Sequence, residues 1–371
     1  MTNSEKIAER LLGALIGAAE LFTVELGREL GLYRALRGAR LTPPELAEAA
    51  GIDARYAREW LEQQAAAGLL TAVTADAAVA AGDGPDAVAA PGDDADARRF
   101  ALSEEVAAVL LDETGPAYLG TAGQFALGLG LTFPAVAAAF RSGAGVSYAD
   151  YGRHIRHGIA AFNRPMFTHQ LTGEWLPAVP EIDQRLRATP GARVLDLGCG
   201  LGHSSVALAL AYPAITVHGV DLDEASVAEA RRTAAEAGVA DRVSFAVADA
   251  AAPAGSGVDL VTIFEALHDM ADPVGVLAAA RAALAEGGSV FVGDERVADA
   301  FTAPAGEIER LQYAFSVLHC LPATRAEGSA VANGTVLRAP TMLGWARAAG
   351  FTEPEVLDIA NDFWRFYRLR G

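Results

Sequence analysis

Lysine is nearly missing from this chain: Lys6 is the only one in 371 residues, so almost all of the 29 basic side chains are arginine. With alanine and glycine abundant beside arginine, that bias reads as the coding habit of a genome, not as chemistry. Basic charge is short overall, because 47 acidic residues leave a net charge of −18. Such a surface repels phosphate backbones and excludes nucleic-acid binding unless a local basic stripe compensates. Cysteine is scarce as well. Cys199 and Cys320 stand far apart, which excludes a disulfide framework and fits a reducing cytoplasm. No apolar run reads as long and uninterrupted enough to cross a bilayer, and Met1 to Arg10 mixes charges of both signs without an apolar leader. The expectation is a cytoplasmic chain with no membrane partner. At 52% hydrophobic, it can bury two cores.

The informative stretch is Val194-Leu195-Asp196-Leu197-Gly198-Cys199-Gly200-Leu201-Gly202. Apolar residues ending at Leu197 read as a buried strand, three alternate glycines follow, and a helix can begin at Ser204. The chain therefore bends sharply at a strand's carboxyl end, where glycine lets a ligand approach bare backbone. A dinucleotide fingerprint would need its third glycine at His203, and a phosphate-cradling loop would need Gly-Lys-Ser/Thr; neither is met. The pattern is D-x-G-x-G-x-G. An acid at Asp196 would repel a pyrophosphate and suit a ligand carrying an ammonium and a sulfonium.

This pattern resembles the first motif of class I S-adenosylmethionine-dependent methyltransferases. Under that resemblance S-adenosyl-L-methionine is the cofactor and Asp196, Gly198, Gly200 and Gly202 form its bend. Asp221, about 20 to 25 residues after the glycines, would accept both ribose hydroxyls, with Leu222 beside it. Asp249, after Val243 to Ala248, would face the adenine amino group, with Ala250 along the ring edge. Glu265, at the end of a later strand, completes the expected cofactor contacts. Without the resemblance, Asp221 reads as a helix cap for Glu224 onward and Asp249 as a turn aspartate.

The fold class expected is α/β: a Rossmann-like seven-stranded methyltransferase sheet over 191–371, with an N-terminal, mainly α winged-helix domain over 1–112. Residues 113–190, rich in Gly, Ala, Leu and aromatics, read as linker helices and an active-site lid; most of its aromatics read as packing. There Arg153, Asn163 and Arg164 are candidates for holding a substrate carboxylate. Strands are expected at Arg193–Leu197, Thr216–Val220, Val243–Val247, Val258–Phe264, Ser289–Val292, Val356–Ile359 and Phe363–Leu369. The last two are separated by three residues and should pair antiparallel.

At the N-terminus, apolar residues from Ile7 to Leu36 recur at helical spacing. Thr42-Pro43-Pro44-Glu45 starts a helix, Ala54 to Ala67 forms another, and Leu69–Val73 with Arg99–Leu102 makes a wing whose tip spans 74–97. The charges of the Ala54 helix, Arg55, Arg58, Glu59 and Glu62, nearly cancel, so no basic face is offered to DNA. The arrangement resembles instead the N-terminal dimerisation domain of many small-molecule methyltransferases of natural-product pathways. That implies a homodimer, with the apolar stripe of the first helix at the interface.

The chemistry is expected after the fourth strand, in Glu265-Ala266-Leu267-His268-Asp269-Met270. The Leu-His-Asp run resembles that of small-molecule O-methyltransferases, in which the histidine takes a proton from a substrate hydroxyl. His268 is then the catalytic base. Asp269 either orients it or caps the following helix, a task better suited to Asp272. Asp294 and Glu295 read as solvated or capping carboxylates, while Arg325 and Glu327 are candidates to border the substrate. A second reading joins His268 and Asp269 to His319, two imidazoles and a carboxylate that could hold one Fe or Zn ion. It resembles the metal-dependent C-methyltransferases of 2-oxo acids. Two further classes stay open: a DNA-binding regulator whose ligand domain only senses, and an enzyme that uses the bound donor for a rearrangement without methyl transfer.

Overall fold

A computed structural model describes residues 1–73, 94–188, 191–252 and 255–371. The chain divides into two compact units, Met1–Leu127 with His157–Pro165, and Gly128–Arg156 with Met166–Gly371. The segment expected as a separate linker and lid is not a body of its own. Its two long helices each contribute residues to both units.

The first unit opens with α1 (Asn3–Glu29), started by a capping box in which Thr2 and Glu5 satisfy each other's backbone N–H. Gly31, in the left-handed region, ends that helix and begins α2 (Leu32–Leu36). A second capping box, Thr42 with Glu45, and prolines in the first turn start α3 (Pro43–Ala50). Asp53 caps α4 (Ala54–Ala66). Strand β1 (Arg40–Leu41), β2 (Thr71–Val73) and β3 (Arg99–Ala101) form a small antiparallel sheet, and α5 (Glu104–Leu110) follows. The wing is thus present, while the part of its expected tip at 74–93 lies outside the described residues. Leu32, Leu36, Leu46, Leu61 and Phe100 fill the core. Its polar member is Gln64, whose Oε1 accepts from Tyr33 Oη at 2.5 Å and whose Nε2 donates to Thr23 Oγ1 at 3.1 Å. On α4 and its neighbours, arginine charges are matched locally: Arg55 with Glu59, Arg58 with Asp96, and Arg98 with Glu62. By contrast Leu11, Leu12, Leu15 and Ile16 on α1 are all at least half exposed.

Helix α6 (Ala122–Ser142) corrects the expectation that no segment is long and apolar enough to cross a membrane: by length and composition this one is. It carries Pro134 in its interior, and a third of its most apolar window is buried in the protein. Helix α7 (Gly152–Met166) leads into a wide π-type turn, Phe167–Trp175, and then α8 (Pro180–Ala188). The turn buries Phe167, Leu171 and Trp175. Trp175 packs against Trp364 and Phe366, with ring centroids 5.3 and 4.7 Å away.

The second unit is built on a seven-stranded sheet. Strand β4 (Arg193–Leu197) is followed by α9 (His203–Ala211), β5 (Thr216–Asp221), α10 (Glu224–Glu236), β6 (Val243–Val247) and β7 (Val258–Phe264). Then come α11 (Pro273–Ala283), β8 (Leu284–Glu295), α12 (Glu307–Phe315), α13 (Leu321–Ala326), α14 (Ala339–Ala348), β9 (Glu355–Leu357) and β10 (Trp364–Arg370). Strand order is β6-β5-β4-β7-β8-β10-β9, with β4 to β8 parallel and the last two antiparallel. All seven expected strands are present. The final pair is spaced more widely than expected, because Asn361 Oδ1 accepts from the N–H groups of Phe363 and Trp364 at 2.9 Å and delays β10. Order reverses between β4 and β7, and the carboxyl ends of these two neighbours define the crevice where a doubly wound sheet takes its ligand.

Candidate active site

The crevice is shaped by a buried acid at the end of β4. Asp196 is 1% exposed; its Oδ2 accepts hydrogen bonds from Ser204 and Ser205 hydroxyls, both at 2.6 Å, and its Oδ1 from Thr262 at 2.8 Å. Burial raises its pKa against the pull of those three hydroxyls. The carboxylate therefore ties β4 to the first turn of α9 and to β7, a different task from facing a ligand's positive charge. Between these anchors Gly198, Gly200 and Gly202 all have left-handed φ angles. A Cβ at Gly198 would lie 2.6 Å from Ala266 Cβ, because the bend touches the loop after β7; a Cβ at Gly200 would meet nothing within 4 Å. Gly200 is thus where backbone borders open space.

Asp221 ends β5 opposite this bend. Its Oδ2 accepts the Gly200 N–H at 2.8 Å and its Oδ1 the Asp223 N–H at 2.9 Å. Burial raises its pKa, and the nearby carboxylates add to that. The capping role belongs to Asp223, whose side chain accepts from the Ser226 N–H and forms a buried two-point ion pair with Arg156. Leu222, between them, is 55% exposed. Asp249 is exposed and accepts the Ala251 N–H at 2.8 Å, while Ala250 packs at the edge of the sheet core.

Past β7 the backbone is forced to turn: Glu265 adopts a φ of 49°, and Leu267–Asp269 forms a tight single turn. Glu265 lies near Glu295 at the end of β8, where burial and the Glu265 charge raise the Glu295 pKa. His268 is 2% exposed. Its Nδ1 lies 2.8 Å from Asp294 Oδ1, and its backbone N–H donates to Asp294 Oδ2 at 3.3 Å. On the other side, Nε2 is 3.4 Å from Asp269 Oδ1. Burial alone would push this imidazole down, but Asp269 and Asp294 outweigh it and hold its pKa well above the ordinary value. Asp272, as expected, caps α11.

The reading of Asp294 and Glu295 as solvated is corrected. They are 1% and 7% exposed, brought inside because β8 pairs with β7 in parallel register and ends beside His268. No local pattern in the sequence carries that register.

His319 closes the site from a π-type turn, Ser316–Cys320, joining α12 to α13. Its ring lies edge-on to Tyr151 and Tyr148, with centroids 4.5 and 5.7 Å away. Burial pushes its pKa down to about 4, leaving a neutral imidazole. His319 Nδ1 is 3.3 Å from Cys320 Sγ, while its buried Nε2 has no hydrogen-bond partner. The donor atoms that converge within 4.8 Å of one another are those of His268, Asp269 and Cys320, with His319 beside them. The cysteine was not among the expected site residues. Of the candidate substrate contacts, Arg325 donates to Gly143 O from an exposed position, Glu327 is exposed, and Arg164 pairs with Glu113 in the first unit.

Residues 188–328 match the family model described as a methyltransferase domain. Among curated proteins, similarity is found to the ubiquinone biosynthesis O-methyltransferase of Bordetella pertussis, 38% identical over 111 residues. It extends to the 27-O-demethylrifamycin SV methyltransferase of Amycolatopsis mediterranei, 34% identical over 150 residues. The matched parts are 30% and 39% of this chain, and the chain spans about half of those proteins, 45% and 52%. Solved structures match along its whole length. An O-methyltransferase family protein from Burkholderia thailandensis aligns with a TM-score of 0.66 at 19% identity, over 100% of this chain and 98% of its own. Human N-acetylserotonin methyltransferase in complex with S-adenosylmethionine aligns at 0.64 and 17%, over 100% and 99%. The chain has the fold of these methyltransferase structures, and its crevice lies within the residues that match the methyltransferase-domain model.

Replacing Asp196 by Ala would strand three buried hydroxyls. The unfolding free energy should fall by at least ~3 kcal/mol, at about 1–3 kcal/mol for each group left unsatisfied. An unfolding free energy from urea titration within ~1 kcal/mol of the native protein's would rule out the anchoring role.

Proposed function

We propose that this chain is an S-adenosylmethionine-dependent methyltransferase of a small molecule, and that it methylates a hydroxyl with His268 as general base. The observation that carries this is the buried His268 imidazole just after β7, held through Nδ1 by Asp294 at 2.8 Å. The domain match and the O-methyltransferase names of the relatives support it. The bend fits the donor because Gly200 leaves bare backbone against open space. Asp221 is assigned to the ribose hydroxyls, Leu222, Asp249 and Ala250 to the adenine, and Gly198 to Gly202 to the amino-acid end. Asp196 contributes by holding the bend, and Glu265 is assigned to the cofactor as well. When bound, the donor supplies an electrophilic methyl on a sulfonium. His268 Nε2 accepts the hydroxyl proton as the oxygen–methyl bond forms and the sulfur–methyl bond breaks; the by-product is S-adenosylhomocysteine.

A base must be neutral to accept a proton. Since Asp269 and Asp294 raise the His268 pKa above 6.5, kcat/KM should fall as pH drops through that raised value, giving an acid limb above 6.5. Asp294→Asn removes one raising charge and should move the limb to lower pH. His268→Gln should cut kcat by about 10²–10⁴-fold and leave S-adenosylhomocysteine affinity in calorimetry nearly unchanged. Full kcat in that variant would defeat the base assignment.

One observation favours a second reading, metal-dependent C-methylation of a 2-oxo acid. The buried His319 Nε2 has no hydrogen-bond partner, and an unsatisfied buried polar atom of this kind is where an ion can be held. His268, Asp269 and His319 would hold one iron or zinc ion, which would stabilise the enolate of a 2-oxo acid and make its neighbouring carbon nucleophilic. Elemental analysis of protein purified without a histidine tag should then find a stoichiometric ion that His319→Ala abolishes. A metal-free, fully active enzyme would exclude this chemistry.

For partners we assign a second copy of the chain, a small-molecule substrate and neither nucleic acid nor membrane, with the cytoplasm as location. The exposed Leu11, Leu12, Leu15 and Ile16 support pairing through α1. Sedimentation should give a dimer that Leu15→Glu converts to monomer; a native monomer at micromolar concentration would refute the pairing.

A further inference from the structure

We infer that Cys320 is itself a metal ligand, so that the ion at this site is held by nitrogen, oxygen and sulfur donors from His268, Asp269 and Cys320. The inference rests on the metal reading above and deepens it by naming a donor, and with it the class of ion.

The argument begins with the backbone. In a regular α-helix consecutive side chains point about 100° apart, so His319 and Cys320 would not both face one cavity. The wide turn Ser316–Cys320 changes that: both are buried, at 1% and 7% exposure, and Nδ1 of the first lies 3.3 Å from Sγ of the second. Such turns cost regular hydrogen bonding and recur at functional sites. The single turn at Leu267–Asp269 does the same for the opposite wall, bringing adjacent His268 and Asp269 to one point.

The donor set that results is selective. The imidazole, carboxylate and thiol atoms of His268, Asp269 and Cys320 lie mutually within 4.8 Å. Four donors around one ion at about 2.0–2.3 Å sit closer than that, so a small inward movement would close the set. Independently of the cysteine's own chemistry, the neighbouring His319 is fully buried, its Nε2 has no hydrogen-bond partner, and its Nδ1 lies 3.3 Å from the Cys320 thiol. A thiolate disfavours magnesium and calcium and favours zinc-class or other borderline ions. Three protein donors of mixed type, with a position left for substrate, are the pattern of catalytic sites; closed sets of four serve structure. When the ion binds, the thiol proton passes to solvent, because only the thiolate ligates.

Cobalt(II) added to the metal-free full-length protein tests this without recourse to activity. The expected result is stoichiometric cobalt with a near-ultraviolet thiolate-to-cobalt charge-transfer band. Cys320→Ser should lose the band and bind at least about 10–100-fold more weakly, since even outer partners of a ligand are worth that much. Cys199→Ser should keep the band, and circular dichroism should report both variants folded. If cobalt binds stoichiometrically without the band, or if Cys320→Ser retains it, the cysteine is not a ligand while the metal reading stands. If no cobalt binds, both fall. Should Cys320→Ser fail to fold, alkylation settles the point: cobalt must protect Cys320 in the native protein, and unprotected labelling overturns the inference.

Discussion

The crevice depends on one buried carboxylate. Asp196 collects three hydroxyls, two from the start of α9 and one from β7, and so fixes the strand that precedes the bend to the helix that follows it. An acid without water is costly unless hydrogen-bonded, and here its three partners come from two separate elements. With those ends tied, the three left-handed glycines have one course to follow. Asp221 then grips the bend from the neighbouring strand through the Gly200 N–H. Bare backbone is held against open space by Asp196 from within the fold and by Asp221 from the neighbouring strand.

A second constraint governs the far wall. His268 lies between Asp294 on one ring nitrogen and Asp269 on the other, and the balance between burial and these two charges keeps a positive charge favourable there. His319, buried with no equivalent carboxylate bonded to it, is neutral. The two imidazoles are thus shifted in opposite directions. A proton on His268 and a metal ion are alternative ways of meeting the same electrostatic demand, which is why both proposed chemistries are drawn from this geometry.

Much of this was legible in the order of residues. The seven strands, the D-x-G-x-G-x-G bend, Asp221 at the end of β5, the Asp272 cap and the capping boxes of α1 and α3 are local features. Each is specified by periodicity or by a side chain reaching a backbone group three residues away. The Leu-His-Asp run was placed correctly for a similar reason, since it directly follows a strand whose carboxyl end must face the crevice.

What tertiary structure decided concerns partners distant along the chain. Asp294 looked solvated until the parallel register of β8 on β7 carried it beside His268. Asp196 looked like a ligand contact, but folding brought Ser204, Ser205 and Thr262 around it first. Cys320 was read only for disulfides; an irregular helical turn moved its thiol to His268 and Asp269. Local periodicity specifies which face of an element is buried. Which polar groups meet there is set by register and by departures from regular helix, and a one-dimensional pattern encodes neither.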